Sequence, residues 1–195
     1  MAPVPSLILA STSPRRCDLL REAGYHFTVV KPEVLEIEDP AIPIRELTAL
    51  NARLKADAVA PSHPGAVTMG ADTLVLLGEK VFGKPADRAE AARMLAELNG
   101  RTHQVFTAVS FLHHERREKN VHCLTVATEV TFKNLSEDER IAYHSMVNPL
   151  DKAGAYAAQE HGGLIIESIV GSPSNVVGLP MDEVALVLEQ HFGIK

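Results

Sequence analysis

Two serines and two arginines lie close together near the start of the chain, in the run Ser-Thr-Ser-Pro-Arg-Arg that begins at Ser11. Ser13 followed by Pro14 predicts that a helix begins here, with serine at the N-cap and proline at the first helical position. Arg15 and Arg16 then fall in the first turn, where the helix dipole disfavours cations by about 0.3–1 kcal/mol each. The cations, the free N–H groups and the hydroxyls of Ser11 and Ser13 favour a phosphate site. The alternative is an ordinary capped helix.

An aspartate stands between two apolar segments, in the run Met-Gly-Ala-Asp-Thr that begins at Met69. A carboxylate among apolar residues costs free energy unless it is paired or used, so Asp72 is a candidate for chemistry. A turn aspartate is the alternative interpretation. Further on, Lys84 precedes Pro85, and the residue before a proline is held in an extended conformation. The alternative for Lys84 is a solvated turn lysine.

A third segment of interest runs from Asp151 to Gln159 with the sequence Asp-Lys-Ala-Gly-Ala-Tyr-Ala-Ala-Gln. Its small residues allow another part of the chain or a ligand to approach the backbone closely. Asp151 adds a carboxylate, and Gln159 offers a paired donor and acceptor suited to the edge of a nucleobase.

Several other kinds of site are not indicated. The nine histidines are scattered without the H-x-x-x-H or H-E-x-x-H spacing of a zinc enzyme. Neither G-x-x-x-x-G-K-[ST] nor G-x-G-x-x-G occurs, which argues against a P-loop or a Rossmann cofactor site. Ser11 and Ser13 lack the G-x-S-x-G context of a hydrolase nucleophile. Cys17 and Cys123 are too few for a disulfide framework, and Cys17 is expected to be buried.

The composition predicts one globular domain over residues 1–195, without nucleic acid or membrane as a partner. With 19 Lys and Arg against 25 Asp and Glu, the net charge is −6, which disfavours a protein that coats nucleic acid. The first ten residues lack the basic start and the long apolar run of a signal peptide or a membrane helix. The low cysteine content fits a reducing cytoplasm.

The pattern of apolar residues predicts an α/β fold, a mixed β-sheet flanked by helices. The predicted helices are 14–23, 43–60, 89–98, 137–145 and 180–192. The predicted strands are 7–10, 27–30, 66–69, 105–112, 121–132, 164–169 and 176–177, with a hairpin of 74–77 and 81–82 and a polar turn at 113–120.

Taken together, these segments resemble the Maf family of nucleoside triphosphate pyrophosphatases. The matching stretches occur in the family's order and span nearly the whole chain. They are 9–16 (LASTSPRR), 70–73 (GADT), 83–87 (GKPAD), 98–105 (LNGRTHQV), 151–156 (DKAGAY) and 175–180 (NVVGLP).

The resemblance implies hydrolysis of a nucleoside triphosphate to the monophosphate and pyrophosphate, with Mg²⁺ or Mn²⁺ as the cofactor. The Ala-Tyr-Ala-Ala-Gln stretch looks like the branch that acts on dTTP and UTP rather than the one that acts on 7-methyl-GTP. The implied role is the clearance of surplus or non-standard nucleotides in the cytoplasm. The implied fold has an elongated mixed sheet and two lobes around a central cleft, and it allows a homodimer.

By the same resemblance, Asp72 matches the catalytic base and holds the metal together with Glu36. Asp72 would orient or deprotonate the water that attacks the α-phosphorus. Arg15 and Arg16 match the family's phosphate-side arginines, and Lys55 and Lys84 match charged residues of its cleft, as does Glu36. Positions tied to substrate choice are matched by Arg15, Thr73 and Gln159. Ser11 and Ser13 are predicted to bind substrate from their own place beside the arginines. Glu36 is chosen over Glu33 and Glu38 only by its spacing from Arg15.

Two departures from the family pattern concern the third segment. Asn148-Pro149 stands where Glu-Pro is common, so one carboxylate is missing. Glu160-His161-Gly162 follows Gln159 where a glycine is common, which alters the loop beside the residue tied to base choice.

Two other functions remain as alternatives. One is a nucleotide-binding regulator of cell division that acts through a protein partner without turnover. It has little need to place carboxylates such as Glu36 and Asp72 beside a polyanion. The other is a nucleic-acid-binding module, which 5% aromatic residues, the absence of Trp and the net charge of −6 disfavour.

Overall fold

Helices and strands alternate along most of the chain in the computed structural model, which describes residues 4–115 and 118–195. The strands are β1 (Leu7–Ala10), β2 (Phe27–Val29), β3 (Val67–Leu77), β4 (Lys80–Phe82), β5 (Thr102–Glu115), β6 (Glu118–Phe132) and β7 (Ile166–Val170). The α-helices are α1 (Pro14–Glu22), α2 (Ile44–Val59), α3 (Arg88–Leu98), α4 (Glu137–Met146), α5 (Gly162–Ile165), α6 (Pro173–Val177) and α7 (Met181–Phe192). Short 3₁₀ helices cover Ala60–Ser62 and Ala153–Ala155.

The strands form one mixed sheet in the order β2-β1-β3-β5-β6-β7, with β4 paired to β3. β1 is parallel to both β2 and β3, whereas the pairs β3–β4 and β6–β7 are antiparallel. The register of β1 against β3 places Ala10 opposite Gly70. The predicted α/β class with a mixed sheet is therefore confirmed.

The chain divides into two compact units, each with a core of its own. The first unit comprises the chain up to Asp72, Thr107–Val126 and Gly178–Lys195, and the second comprises Thr73–Phe106 and Ala127–Val177. Buried side chains at the centre of the first unit include Leu9, Leu20, Met69, Phe111 and Leu188. Those of the second include Val75, Leu98, Phe132, Tyr143 and Tyr156.

The prediction for residues 66–77 was wrong in one respect, because β3 is a single strand of 11 residues rather than two segments joined by a link. Side chains alternate along a strand, so residues two apart share a face. Met69 and Ala71 pack into the first unit's core. Gly70 and Asp72 share the opposite face. The carboxylate thus lies within a sheet strand and not in a turn.

Three further predictions of helix and strand positions were wrong. Residues 176–177 belong to helix α6, because Ser172 and Pro173 repeat the serine–proline start, and the Ser172 Oγ accepts a hydrogen bond from the Asn175 N–H at 3.3 Å. β5 continues to Glu115 and β6 begins at Glu118, where a turn over 113–120 was expected. Residues 116–117 of that expected turn lie outside the described residues. Residues 164–165 belong to α5, so the last strand begins at Ile166.

Within the described residues, no helix combines the length and the apolar character needed to cross a bilayer.

Candidate active site

Helix α1 begins as its sequence predicts. Ser13 is the N-cap and has an extended backbone, and Pro14 occupies the first turn, so Arg15 and Arg16 follow directly in that turn. The Ser13 hydroxyl makes no cap hydrogen bond. The backbone N–H of Ser13 instead donates to the Ser11 Oγ at 3.2 Å. The predicted collection of two serines and two arginines at a helix N-terminus is therefore present, with the hydroxyl of Ser13 not used as a cap.

Arg16 joins α1 to the middle of β3. Its Nη1 donates to the carbonyl oxygen of Ala71 at 3.0 Å and to the Ser11 Oγ at 3.3 Å, while its Nε donates to the carbonyl of Gly178 at 3.0 Å. Burial lowers the pKa of Arg16, and the carboxylate of Asp72 acts in the opposite direction. Arg16 thus places a positive charge beside Asp72 while it holds the strand and the helix start together.

The close approach of α2 to β3 depends on Gly70. A Cβ at this position would lie 2.3 Å from the carbonyl oxygen of Ala52 and 2.7 Å from the backbone nitrogen of Ala56. These are backbone atoms of α2, which cannot rotate away. Because Asp72 shares a strand face with Gly70, the same close approach brings Lys55, which lies between Ala52 and Ala56 on α2, to the carboxylate.

Lys55 of α2 lies between two carboxylates. Its Nζ is 2.7 Å from Asp72 Oδ1 and 2.9 Å from Glu36 Oε1, and it also donates to the carbonyl of Ala71 at 3.3 Å. The side chains of Lys55 and Asp72 are 9% and 5% exposed, whereas that of Glu36 is 36% exposed. The arrangement is a buried ion pair with one partly exposed carboxylate at its side.

The two oxygens of Asp72 differ in their surroundings. Oδ1 accepts a hydrogen bond from Lys55. Oδ2 is buried and has no hydrogen-bond partner within the described part of the chain. A buried acceptor without a partner costs about 1–3 kcal/mol, so such groups are uncommon unless a function requires them. One carboxylate oxygen is therefore committed to the ion pair, and the other is uncommitted.

Asn51 positions Glu36, although no sequence motif predicts this role. It lies one turn before Lys55 on α2 and is buried. Its Oδ1 accepts from the N–H of Ile37 at 2.8 Å, and its Nδ2 donates to the carbonyl of the same residue at 3.0 Å. This two-fold bond holds the loop before α2 against the helix. The available signal was a polar amide four residues before Lys55 on a helix face that also carries Leu47.

Three of the predicted site residues belong to the second unit. Thr73 is half-buried in β3, Lys84 is exposed, and Gln159 is exposed with its Nε2 donating to Glu160 Oε1 at 3.3 Å. The segments around Lys84 and Asp151 meet, since the N–H of Gly154 donates to the carbonyl of Gly83 at 3.0 Å.

Glu160, the residue that departs from the family pattern, lies beside a buried lysine. The Nζ of Lys152, 4% exposed, is 3.6 Å from Glu160 Oε1 and 2.9 Å from Asp151 Oδ1. It also donates to the carbonyl of Asn148 at 2.8 Å. The loop that begins at Glu160 is thus held against the Asp151-Lys152 motif.

A family model described as "Maf-like protein" matches residues 6–191. The chain belongs to this family. It is 45% identical to a protein of Akkermansia muciniphila over 93% of this chain and 94% of that one, and 45% identical to a protein of Myxococcus xanthus over 94% and 91%. Both relatives are named dTTP/UTP pyrophosphatase. A solved structure titled "The structure of the Staphylococcus aureus Ham1 protein" has a TM-score of 0.47 and 18% identity, and it covers 94% of this chain and 98% of that one.

In this member of the Maf-like family, the first unit gathers most of the predicted site. Arg16, Lys55 and Asp72 converge on or beside the carbonyl of Ala71, and Glu36 joins them through Lys55. Within residues 4–115 and 118–195, no group of three or more His, Cys, Asp or Glu side chains could hold a metal ion. Glu36 and Asp72 still fit a hard cation, because Mg²⁺ is commonly bound by one or two carboxylates together with substrate phosphates. The unpartnered Oδ2 of Asp72 is a suitable ligand atom.

Proposed function

We propose that this protein hydrolyses nucleoside triphosphates, dTTP and UTP foremost, to the monophosphate and pyrophosphate with the help of a divalent cation. The observation that carries the proposal is the Glu36–Lys55–Asp72 cluster, in which a buried carboxylate keeps one oxygen without a partner. Membership of the Maf-like family and relatives named dTTP/UTP pyrophosphatase support the same reaction.

The triphosphate is expected at the start of α1. The first-turn N–H groups of this helix are not capped by Ser13, and a helix N-terminus attracts anions. Arg15 and Arg16 lie in the same turn, and an arginine fork matches phosphate oxygens. Ser11 holds Arg16 in place through its Oγ, and Lys84 stays a predicted substrate-binding residue. These residues would neutralise the charge of the triphosphate.

Asp72 is proposed as the base. Its Oδ2 takes the proton of a water whose oxygen forms a bond to the α-phosphorus, and the bond between that phosphorus and the bridging oxygen breaks. Pyrophosphate leaves with the bridging oxygen. Lys55 keeps Oδ1 occupied, so Oδ2, with its two lone pairs, is the oxygen left for both the water and the cation. A divalent cation held by Glu36 and Asp72, Mg²⁺ or Mn²⁺, would supply charge neutralisation at the phosphates.

The preference for one nucleobase over another is assigned to Thr73 and Gln159, together with Arg15. The Nε2 of Gln159 donates to Glu160, which leaves its Oε1 to accept a hydrogen bond. Uracil and thymine carry an N–H donor on the edge where cytosine carries an acceptor. A glutamine oriented in this way would favour UTP and dTTP over CTP.

The decisive experiment is a panel of nucleoside triphosphates with Mg²⁺ or Mn²⁺ in water enriched in ¹⁸O. We expect dTTP and UTP to be the best substrates, with pyrophosphate as the product and ¹⁸O in the monophosphate, because water attacks the α-phosphorus. Release of orthophosphate, or ¹⁸O in the pyrophosphate, would contradict the proposed reaction. Binding of nucleotides without any turnover would support the non-catalytic regulator instead, which the names of the relatives do not favour.

Localisation and assembly are proposed as well. The cytoplasm suits an enzyme that acts on free nucleotides, and the low cysteine content agrees with it. A homodimer stays a prediction, which sedimentation analysis of the purified protein would test.

A further inference from the structure

The second unit contains a cavity that none of the residues proposed for triphosphate hydrolysis lines. It lies between α3 and α4 and has a volume of about 480 Å³. This is within the range of about 300–1,000 Å³ that is common for sites of small ligands. Most of its wall is apolar and is contributed by Ala92, Leu95, Ala96, Ile141 and Pro149.

The polar groups of the cavity are mainly cationic. It is lined by Arg88 and Arg93 of α3 and by Arg140 of α4, against the single carboxylate of Glu137. Arg140 donates to the carbonyl of Leu135 at 2.7 Å. Arg88 and Arg93, by contrast, have no hydrogen bond or ion pair with any residue that the structure describes. Two guanidinium groups on this wall are thus available to a ligand.

The position of Arg88 also favours an anion. It is the first residue of α3, directly after the N-cap Asp87, whose side chain accepts from the N–H of Glu90. A cation in the first turn opposes the helix dipole, and a bound anion would remove that penalty.

His144 offers a reporter inside the same cavity. Its Nε2 lies 3.0 Å from the carbonyl of Ala155, so this nitrogen carries the hydrogen and donates. Burial lowers the pKa of His144, and the charge of Arg88 lowers it further. An anion bound beside Arg88 would raise that pKa again.

We propose that the cavity between α3 and α4 binds a small organic anion, an apolar body carrying one carboxylate, sulfonate or phosphate group. The apolar wall accepts the body, and Arg88 and Arg93 accept the anionic group, since arginine forks match planar and tetrahedral oxyanions. A ligand that contacts only the apolar wall or only the two guanidinium groups would use half of the cavity. A purely apolar ligand would leave the two guanidinium groups unused, and a simple inorganic anion would leave the apolar wall uncovered.

The test uses the full chain in buffer free of divalent cations, with naphthalene-1-sulfonate as the probe. Calorimetry measures affinity, and NMR follows the side-chain resonances of His144, with exposed His26 of the first unit as the internal reference. 1-Naphthol supplies the same apolar body without charge, and inorganic sulfate supplies the charge without the body. We expect saturable binding of the sulfonate that shifts His144 and leaves His26 unchanged, with weaker binding of both comparators.

Variants locate the site. The double change Arg88→Ala with Arg93→Ala should weaken binding by roughly tenfold or more, because two charge-assisted hydrogen bonds are lost. Ala92→Trp should prevent binding by filling the cavity from its rim. Arg101→Ala removes an exposed arginine of the same unit that does not line the cavity, and it should leave the affinity unchanged. All these positions are exposed or at a rim, so folding is not at risk.

Three results would overturn the proposal. One is a His144 resonance that does not respond to the sulfonate. Another is equal affinity of the Arg88/Arg93 and Arg101 variants for the probe. The third is equal binding of naphthol and naphthalene-1-sulfonate, which would mean that the cavity is only an apolar surface. Because no nucleotide or metal is present, none of these results depends on the proposed hydrolysis.

Discussion

Lys55 and Asp72 form a buried ion pair in which Nζ lies 2.7 Å from Oδ1, and each side chain is less than a tenth exposed. Burying two charges costs several kcal/mol per ion unless good geometry and further hydrogen bonds compensate. Lys55 receives that compensation from Glu36 and the carbonyl of Ala71, whereas the second oxygen of Asp72 receives none within the described part of the chain. The burial of Asp72 is therefore less well compensated than that of Lys55, and Asp72 is the residue to which the chemistry is assigned.

Asp72→Asn should lower kcat by about 10²–10⁴-fold, because an amide keeps the shape of the side chain but cannot take a proton. The matched control is Asp57→Asn, which changes a carboxylate that pairs with Arg53 on the same helix α2. Steady-state hydrolysis of dTTP measures both variants. Turnover by Asp72→Asn at the wild-type rate would remove Asp72 from the mechanism.

Lys55→Met should destabilise the fold by about 3–5 kcal/mol, because Asp72 is left as a buried charge without its partner. Adding Asp72→Asn to this variant should restore part of the loss. Urea unfolding at pH 7 measures each member of the cycle. Lys80→Met removes an exposed pair with Glu97 and should change stability by no more than about 1 kcal/mol. Equal losses for Lys55→Met and Lys80→Met would contradict the buried pair.

Asn51→Ala should weaken activation by the metal by about tenfold, because the loop that carries Glu36 is no longer held by the amide. The measurement is the Mg²⁺ concentration that gives half-maximal activity, with Arg53→Ala on the same helix as the control. In a Glu36→Gln background the additional change should have no further effect on that concentration. An equal additional shift in that background would mean that Asn51 does not act through Glu36.

Gly70→Ala should cost about 3 kcal/mol or more of stability, because the new Cβ would lie 2.3 Å from a backbone oxygen of α2. Gly163→Ala is the control, since its Cβ would meet nothing within 4 Å. Chemical denaturation measures both. If Gly70→Ala were as stable as the wild type, α2 and β3 would have to lie further apart than in this structure, and the Lys55–Asp72 distance would be in question.

His103 should make the protein sensitive to acid. Burial lowers its pKa from about 6.5 to about 4, so the folded protein keeps His103 neutral while the unfolded chain protonates it. The free energy of unfolding is therefore unaffected by His103 above about pH 6.5, and it decreases as the pH falls toward 4. Since each pKa unit corresponds to about 1.4 kcal/mol, the loss amounts to about 3 kcal/mol.

The check compares the free energy of unfolding of the wild type and His103→Gln from pH 7 to pH 4. The variant should show a flatter pH dependence across this window. The NMR titration of His103 in the wild type measures its pKa directly, whatever the stability of the variant. A midpoint near 6.5 would contradict the expected acid sensitivity.

Local signals in the sequence were sufficient for the longer helices α1, α2, α3, α4 and α7. Ser13 and Pro14 predict the start of α1. Apolar residues spaced three or four positions apart predict α2 to within a residue at each end. These signals depend on backbone geometry and on neighbours within one or two turns. The same serine–proline signal at Ser172 and Pro173 begins α6, although Val176 and Val177 are residue types that favour a strand.

Strand continuity was not predictable from local pattern. Gly70 and Asp72 interrupt the apolar residues of β3, and the sequence therefore favoured a break there. The strand continues because Gly70 has no Cβ to collide with α2 and because Asp72 is paired with Lys55. Both causes lie about 15 to 20 residues away along the chain.

The sequence by itself determined the α/β class, the helix start that carries Arg15 and Arg16, and the family motif that contains Asp72. Only the tertiary structure decided which groups share the site: that Lys55 lies between Glu36 and Asp72, that Asn51 holds the loop beside Glu36, and that Arg16 donates to the carbonyls of Ala71 and Gly178. Helix starts follow from neighbouring residues, because caps and dihedral preferences act within a turn. A buried ion pair depends on how closely α2 packs against β3, and that distance is determined by contacts between segments far apart in the chain.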